Sequence, residues 1–238
     1  EYIQASGQCR IKTGLTPAWD DKVEMTWQPT TVSGNQNLWC SRISGTQQFT
    51  VFMIGNKVRF DRNGAQVTGA ETIAAATDYM IVANYGTLAG SVTKTETGET
   101  VTSVTMTEGD YTPGSELCLF ASHDASVDAG LNNFGSYRFY SFKLKASNGT
   151  VKCDLVPAKR DSDGTLGVYD VKRSLFLEND LTGAFTTAGM TITPSDPQWG
   201  AALSVSDELT IDAGDGRLWD LAKECGSTVD AIKKTNQL

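Results

Sequence analysis

The sequence contains a single histidine, His123, and no cysteine pair with C-x-x-C spacing, so the patterns that build most metal and redox sites are missing. A multi-histidine metal site is excluded. A hydrolase triad would need His123, and adjacency to Ser122 and Asp124 does not give triad geometry. The odd number of widely spaced cysteines argues against a full disulfide framework and indicates buried thiols in strands. The cysteines are Cys9, Cys40, Cys118, Cys153 and Cys225.

Basic residues are outnumbered by acidic ones. The sequence has 20 Lys and Arg and 28 Asp and Glu, which gives a net charge of -8 and a pI near 4.7. A negative surface opposes close approach to phosphate backbones and anionic lipid, so nucleic acid is excluded as a partner. No apolar run approaches the roughly 20 residues that a membrane helix needs. The sequence therefore predicts a soluble protein without membrane insertion.

Alternation of apolar and polar residues dominates the first two hundred positions. Val23, Met25 and Trp27 alternate with polar residues, which predicts a strand with one buried face. Gly55-Asn56 joins two apolar runs in the manner of a tight hairpin. Further strands are predicted in DYMIVANY, TLAGSVTK, TVTSVTM and ELCLFAS, and in SYRFYSFKLKASNGTVKCDLV, where Tyr140, Phe142 and Leu144 are placed on one face.

Ten or more short strands with regular turn signals predict a mainly β chain, an antiparallel two-sheet sandwich or jelly roll, with barrel closure left open. Near residue 192 the pattern changes, because Pro194 and Pro197 would interrupt a central strand. We expect a sandwich over residues 1–191 and a linker over 192–207. Beyond it, apolar spacing and a capping box predict two short helices within residues 208–238.

Two stretches carry a family resemblance. EYIQASGQCRIKTGLTP is similar to the opening strand pair, and YRFYSFKLKASNGTVKCDLVPAKRDSDGTLGVYDVKRSLFLENDLTGAFTTAG to the closing strands, of concanavalin A-like or laminin G-like domains of bacterial surface and phage tail proteins. This resemblance implies a jelly-roll β-sandwich. In the closing run we interpret Asp163-Gly164 as a turn, and Tyr169 and Phe176 as core residues.

Residues 208–238 resemble a LysM module, with the strand ELTIDAG followed by the helices LWDLAKECG and TVDAIKKTNQL. The chain ends before the second strand of such a module, so an incomplete LysM-like segment is expected. The resemblance implies binding of N-acetylglucosamine chains of peptidoglycan or chitin. The implied loop residues are Asp215, Gly216 and Arg217.

Paired carboxylates for glycoside hydrolysis are not predicted. Retaining glycosidases of this fold group carry E-x-D-x-x-E or E-x-D-x-E on one strand, whereas Glu178-Asn179-Asp180 lacks the second glutamate. We therefore expect no enzymatic activity.

Aromatic and acidic side chains supply the candidate binding sites. Trp19, Trp39, Tyr85, Tyr111 and Trp199 could stack on sugar rings, although most aromatics of a sandwich lie in its core. The stretch HDASVDAGLNNFG offers oxygen ligands of the kind that calcium takes, and a polar surface loop explains the same residues. The calcium candidates are Asp124, Asp128, Asn132 and Asn133.

Three functions stay open. The first is a non-catalytic recognition module that binds a glycan or cell-surface ligand. The second is a structural component of a phage tail, virion or surface appendage, in which the sandwich contacts neighbouring subunits. The third is an enzyme with an unrecognised site. The first two place the protein outside the cell, on a cell surface or in a virion, and no cofactor other than calcium is indicated.

Overall fold

In a computed structural model of the protein, the described residues are 1–44, 47–62, 65–107, 114–122, 133–160 and 162–188. They form β-strands and turns without a helix, so the mainly β prediction is confirmed for this part of the chain. None of these residues lies in a helix long and apolar enough to cross a membrane. The strands are β1 (Ile3–Ser6), β2 (Ile11–Lys12), β3 (Lys22–Pro29), β4 (Asn35–Ser44), β5 (Gln47–Ile54), β6 (Lys57–Arg62), β7 (Ala65–Thr68), β8 (Tyr79–Asn84), β9 (Ala89–Lys94), β10 (Thr100–Thr105), β11 (Cys118–Leu119), β12 (Tyr137–Lys145), β13 (Val151–Lys159), β14 (Leu166–Asp170), β15 (Leu175–Glu178) and β16 (Ala184–Thr186).

The strands form two antiparallel sheets. The ten-stranded sheet runs in the order β10-β9-β8-β3-β12-β13-β14-β15, and β1 pairs with both β12 and β16. The six-stranded sheet runs in the order β2-β11-β4-β5-β6-β7. Crossovers between non-consecutive neighbours, such as β3 beside β12, give the jelly-roll topology that the sequence predicts.

One hydrophobic core lies between the sheets. Val23, Met25 and Trp27 of β3 are each at most 1% exposed, as their alternation predicts. Rings from opposite sheets meet where Trp39 packs against Phe142, with centroids 6.0 Å apart. The architecture is therefore a jelly-roll β-sandwich.

A glycine on the inner face of β9 allows the sheets to approach closely. A Cβ built on Gly90 would lie 2.7 Å from Cε1 of Phe60 and 2.9 Å from Cγ2 of Val104. Only a residue without a side chain leaves room for the Phe60 ring at this point.

The predicted turns are confirmed where they lie in the described ranges. Gly55 joins β5 to β6 with φ of 57°, and Gly149 joins β12 to β13 with φ of 86°, both in the left-handed region that favours glycine. In the Asp163-Gly164 turn, the Thr165 N–H donates to Asp163 Oδ1 at 3.0 Å.

Two predictions about side-chain direction are wrong. A β-bulge between Phe139 and Ser141 breaks the alternation of β12, so Tyr140 lies on the outer face while Phe142 and Leu144 are buried. Tyr169 and Phe176 are half-buried on the outer face, because Val168 and Leu177 take the inward positions of β14 and β15.

Four cysteines lie in the described ranges, where they are buried and form no disulfide, as the sequence indicates. The last described strand, β16, pairs with β1. The predicted boundary near residue 192, the 192–207 linker and the LysM-like segment over 208–238 lie outside the described residues.

Candidate functional site

The outer face of the ten-stranded sheet presents rows of side chains that run across the strands, because opposed residues of paired strands point the same way. One row joins Ser141, Thr26, Met80 and Thr93 of β12, β3, β8 and β9. The next joins Asp154, Lys143, Glu24, Val82, Ser91 and Ser103, and the last joins Lys145, Lys22, Asn84, Ala89 and Thr105. The second and third rows change from long charged residues on β12 and β3 to small residues on β9 and β10.

A shallow groove of about 490 Å³ lies where the side chains are small. Ala89, Ser91 and Ser103 are too short to fill the sheet surface, and Lys22 bounds the groove on the β3 side. We call this surface the β3–β10 groove. It is lined by Lys22, Val82, Asn84, Thr87, Ala89, Gly90, Ser91, Ser103, Val104 and Thr105.

Polar groups in the β3–β10 groove are available to a ligand. Hydrogen bonds between described residues do not use the hydroxyls of Ser91, Ser103 and Thr105. The Asn84 Oδ1 accepts from the Thr87 N–H at 3.1 Å, which orients the amide, and its NH₂ group makes no hydrogen bond within the described residues. Hydroxyl and amide groups on a concave surface are suited to hydrogen-bonding the hydroxyls of a saccharide.

The charged residues beside the groove are held by one another. Lys22 and Lys145 each contact Glu24, at 2.9 and 2.8 Å. Partial burial raises the pKa of Glu24, and the two ammonium groups outweigh that effect, so the net pKa lies below its usual range. This wall therefore has two ammonium groups for one carboxylate and keeps a net positive charge at neutral pH.

Trp19 is the exposed aromatic residue near the groove, and half of its surface (50%) is accessible. The Arg62 guanidinium lies over its ring, 5.4 Å from the centroid, and Arg62 itself is 3% exposed. A buried cation under one face fixes the indole plane and leaves the other side to solvent.

Backbone contacts connect the segment that carries Trp19 to the turn after β8. The Tyr85 N–H donates to the Asp21 carbonyl at 3.2 Å, and the Asp20 carbonyl would lie 3.1 Å from a Cβ on Gly86. The segment that carries Trp19 therefore packs against the turn that follows Asn84, a groove residue. Of the predicted sugar-stacking residues, Trp19 is the one that the structure leaves accessible among those it describes.

Trp39 and Tyr85 cannot stack on a sugar, so their prediction as ligand-binding residues is wrong. Both are 0% exposed. Trp39 faces Phe142 in the core, and Tyr85 stacks on Phe49 with centroids 3.8 Å apart. Tyr111 and Trp199 lie outside the described residues.

The carboxylates nearest to a glycosidase pattern have structural partners. Glu178 Oε2 lies 3.1 Å from Arg160 Nη2, and Asp180 Oδ2 lies 2.5 Å from Arg10 Nη2. Asp180 follows β15, which lies at the other edge of the ten-stranded sheet from β10. The described lining of the groove contains no carboxylate. A pair of catalytic acids is therefore not assembled there.

Of the predicted calcium ligands, Asn133 is the one that lies within the described residues, and its carbonyl accepts from the Asn37 N–H at 2.8 Å. The predicted calcium ligands Asp124, Asp128 and Asn132, and the loop residues Asp215, Gly216 and Arg217, lie outside the described residues. Within the described ranges, no group of three or more His, Cys, Asp and Glu side chains is arranged to hold a metal ion.

Comparison with known proteins supports the fold. No protein-family model and no curated protein matches the sequence. A candidate carbohydrate-binding protein from Bacteroides ovatus is similar over 79% of this chain and 60% of its own, with a TM-score of 0.51 and 8% identity.

Two other sandwiches align over less of the chain. A heptameric SAP-like pentraxin from Limulus polyphemus covers 60% of this chain and 74% of its own, with a TM-score of 0.45 and 9% identity. The alignment with domains LG4-5 of the mouse laminin alpha1 chain covers 63% of this chain and 42% of the laminin chain, with a TM-score of 0.44 and 13% identity. The similarity at these identities is one of fold.

Proposed function

We propose that the sandwich is a non-catalytic glycan-binding module of an extracellular, cell-surface or virion protein, and that the β3–β10 groove with Trp19 forms its binding surface. Two observations carry this proposal: a groove lined by unpaired hydroxyls, and a half-exposed, Arg62-backed indole on the segment that packs against the turn after the groove residue Asn84. Aromatic platforms beside hydrogen-bonding groups suit the alternating apolar and hydroxylated faces of sugars.

Two further observations favour binding without catalysis. The described lining of the groove lacks the carboxylates that glycoside hydrolysis requires. The similar structure from Bacteroides ovatus is described as a candidate carbohydrate-binding protein, and its name agrees with this reading.

A cell-surface or peptidoglycan-type polysaccharide is the ligand class that we propose. The groove is open and shallow, which suits a chain that lies across the sheet better than a small molecule enclosed in a cavity. The resemblance to laminin G-like domains and the LysM-like sequence over residues 208–238 favour the same extracellular setting.

The alternative of an assembly component has weaker support. An interface with neighbouring subunits would require a contiguous exposed apolar patch. In the described part of the chain the exposed large apolar residues are Trp19, Met80, Val171 and Leu175, and of these only Val171 and Leu175 share a hairpin. Two side chains are a small patch, so the groove carries the preferred proposal.

The test is binding of the full chain to a glycan array and to purified peptidoglycan, with two groove variants. Trp19→Ala removes the platform, and Ser103→Arg places a long side chain in the groove from an exposed position. We expect each to weaken binding by about tenfold or more. Ser162→Arg, in an exposed turn between β13 and β14, adds the same charge and bulk elsewhere and is expected to bind as the wild type does. Equal binding by all four proteins, or no binding by the wild type, would overturn the proposal.

A further inference from the structure

A further polar row crosses the same sheet face, at the end far from the β3–β10 groove. Thr186 of β16, Gln4 of β1, Arg138 of β12 and Gln28 of β3 are successive cross-strand partners. Gln28 lies six residues along β3 from Lys22, so the row lies roughly 20 Å from the groove end of that strand at ~3.3 Å per residue.

Neutral groups hold the Arg138 guanidinium in one orientation. Its Nη1 donates to Gln28 Oε1 at 2.9 Å, and its Nε points to Gln4 Oε1 at 3.4 Å. The Tyr2 ring covers one face of the guanidinium, with its centroid 4.5 Å from the Arg138 Cζ. The two amide contacts use Nη1 and Nε and leave the second terminal nitrogen, Nη2, while the Tyr140 phenol also lies close to the guanidinium.

Arg138 differs in this respect from the other cations of the face. Lys143 contacts Asp154 at 2.9 Å, and Lys152 contacts Asp21 at 2.7 Å. Lys22 and Lys145 share Glu24. No ion pair joins Arg138 to a carboxylate within the described ranges, so its charge is available to a ligand.

A nearby carboxylate orients the amide that holds Arg138. Gln28 Nε2 donates to Asp78 Oδ1 at 2.7 Å, which turns Gln28 Oε1 toward Arg138. Asp78 therefore acts on the guanidinium through an intervening amide rather than by direct pairing.

The β-bulge in β12 adds an aromatic wall. Tyr140 stands beside Arg138 on the outer face, and its ring meets Tyr2 edge to face at 5.9 Å. Burial, followed by the neighbouring Asp78 carboxylate, raises the pKa of the Tyr140 phenol, so it stays neutral at physiological pH. Two tyrosines thus flank a planar cation that has a spare donor edge.

We propose that Arg138, flanked by Tyr2 and Tyr140, binds the carboxylate of an acidic saccharide such as a uronic acid. A guanidinium pre-oriented by two amides loses little side-chain freedom when it pairs with a carboxylate, and such charge-assisted bonds are about twice as strong as neutral ones. This inference rests on the proposed glycan-binding function and specifies its ligand: a polysaccharide with carboxylate groups that crosses the sheet from the groove to Arg138.

The experiment compares a glucuronate-containing oligosaccharide with the same oligosaccharide after reduction of its carboxyl groups, by calorimetry on the full chain. We expect the acidic form to bind at least about tenfold more tightly, and 1 M salt to weaken this preference. Arg138→Gln should remove the preference and keep the binding of the reduced form. Arg59→Gln is the matched control, because Arg59 is also held by neutral partners, Thr68 and Gln66, but on the other sheet.

The possible failures are distinguishable. Equal affinity of the wild type for both oligosaccharides would overturn the Arg138 site and leave the groove proposal intact. Absence of binding to either oligosaccharide would count against the groove proposal. In that case the Arg138 site is tested separately, by titration with sodium glucuronate monitored by NMR at the Arg138 Nε–Hε group. A saturable shift that Arg59→Gln retains supports the Arg138 site, and an unchanged signal overturns it.

Discussion

Arg10 and Asp180, which are 170 positions apart in the sequence, form a bidentate ion pair. Arg10 Nε donates to Asp180 Oδ1 at 2.8 Å, and Nη2 donates to Oδ2 at 2.5 Å. The Arg10 side chain is 5% exposed, whereas that of Asp180 is 32% exposed. The neighbouring Arg10 N–H also donates to Asn179 Oδ1, so this pair fastens the segment after β15 to the start of the chain.

Replacement of Asp180 by Asn should lower the free energy of unfolding by about 2 kcal/mol, because a buried guanidinium loses its charged partner. Urea denaturation measures the change. Asp163→Asn is the control, since the Asp163–Arg160 pair is exposed to solvent and its loss should have a much smaller effect. Equal effects of the two substitutions would contradict the structural role of Arg10.

Stability should fall in acid, below about pH 4. Partial burial raises the pKa of Asp180, but the hydrogen bonds and positive charges of Arg10 and Lys12 outweigh the effect of burial, so the pKa is lowered overall. The pKa of Glu24 is lowered in the same way by Lys145 and Lys22. A depressed pKa in the folded state contributes stability above the unfolded pKa, and this contribution is lost as the pH falls through the folded value.

The measurement is the free energy of unfolding between pH 2 and pH 7, for the wild type and for Asp180→Asn. The variant should lose less stability than the wild type on acidification, because its side chain at 180 no longer titrates. Parallel pH profiles for the two proteins would contradict the assignment.

Gly90→Ala should destabilise the sandwich by about 1–3 kcal/mol, because the new methyl group would overlap the Phe60 ring. Thermal unfolding of Gly90→Ala, Phe60→Leu and the double variant gives the coupling between the two sites. We expect the double variant to lose less stability than the sum of the single variants. Strict additivity would mean that the sheets do not meet at Gly90.

The thiols of Cys9, Cys40, Cys118 and Cys153 should be inert in the folded protein. All four are buried, and desolvation raises the pKa of Cys9, Cys118 and Cys153, so the reactive thiolate is disfavoured. In a Cys225→Ser background, a chromogenic disulfide reagent should detect no thiol before unfolding and four after it. Rapid labelling of any one thiol in the native state would contradict its burial.

Local sequence signals predicted the strands well because they depend on neighbouring residues. The period-2 pattern of Val23, Met25 and Trp27, and the glycines at 55 and 149, are confirmed in β3 and in two hairpins. The position of Tyr140 was mispredicted, since a bulge adds one residue to a strand and reverses the alternation after it. The burial of Trp39 could not be predicted from the sequence either, because the position of β4 inside its sheet depends on pairing with strands distant in the sequence.

The candidate site was predicted only in part. Exposure of Trp19 is compatible with the sequence-based expectation, but the groove beside it is built from Ala89, Ser91, Ser103 and Thr105, which carry no distinctive motif. A concave surface arises from the relative size of side chains on four paired strands. Single-sequence reasoning has no access to that pairing, nor to the alignment of Gln4, Arg138 and Gln28.

The pairing of β1 with β16 bears on how the chain could be re-engineered. Thr187 Oγ1 donates to the Tyr2 carbonyl at 2.6 Å, so the first and last described segments run side by side. A short linker could join residue 188 to residue 1, and new termini could be opened in an exposed turn such as that at Thr97-Gly98. The sandwich is thus suited to circular permutation, and to insertion as a unit into a loop of another protein.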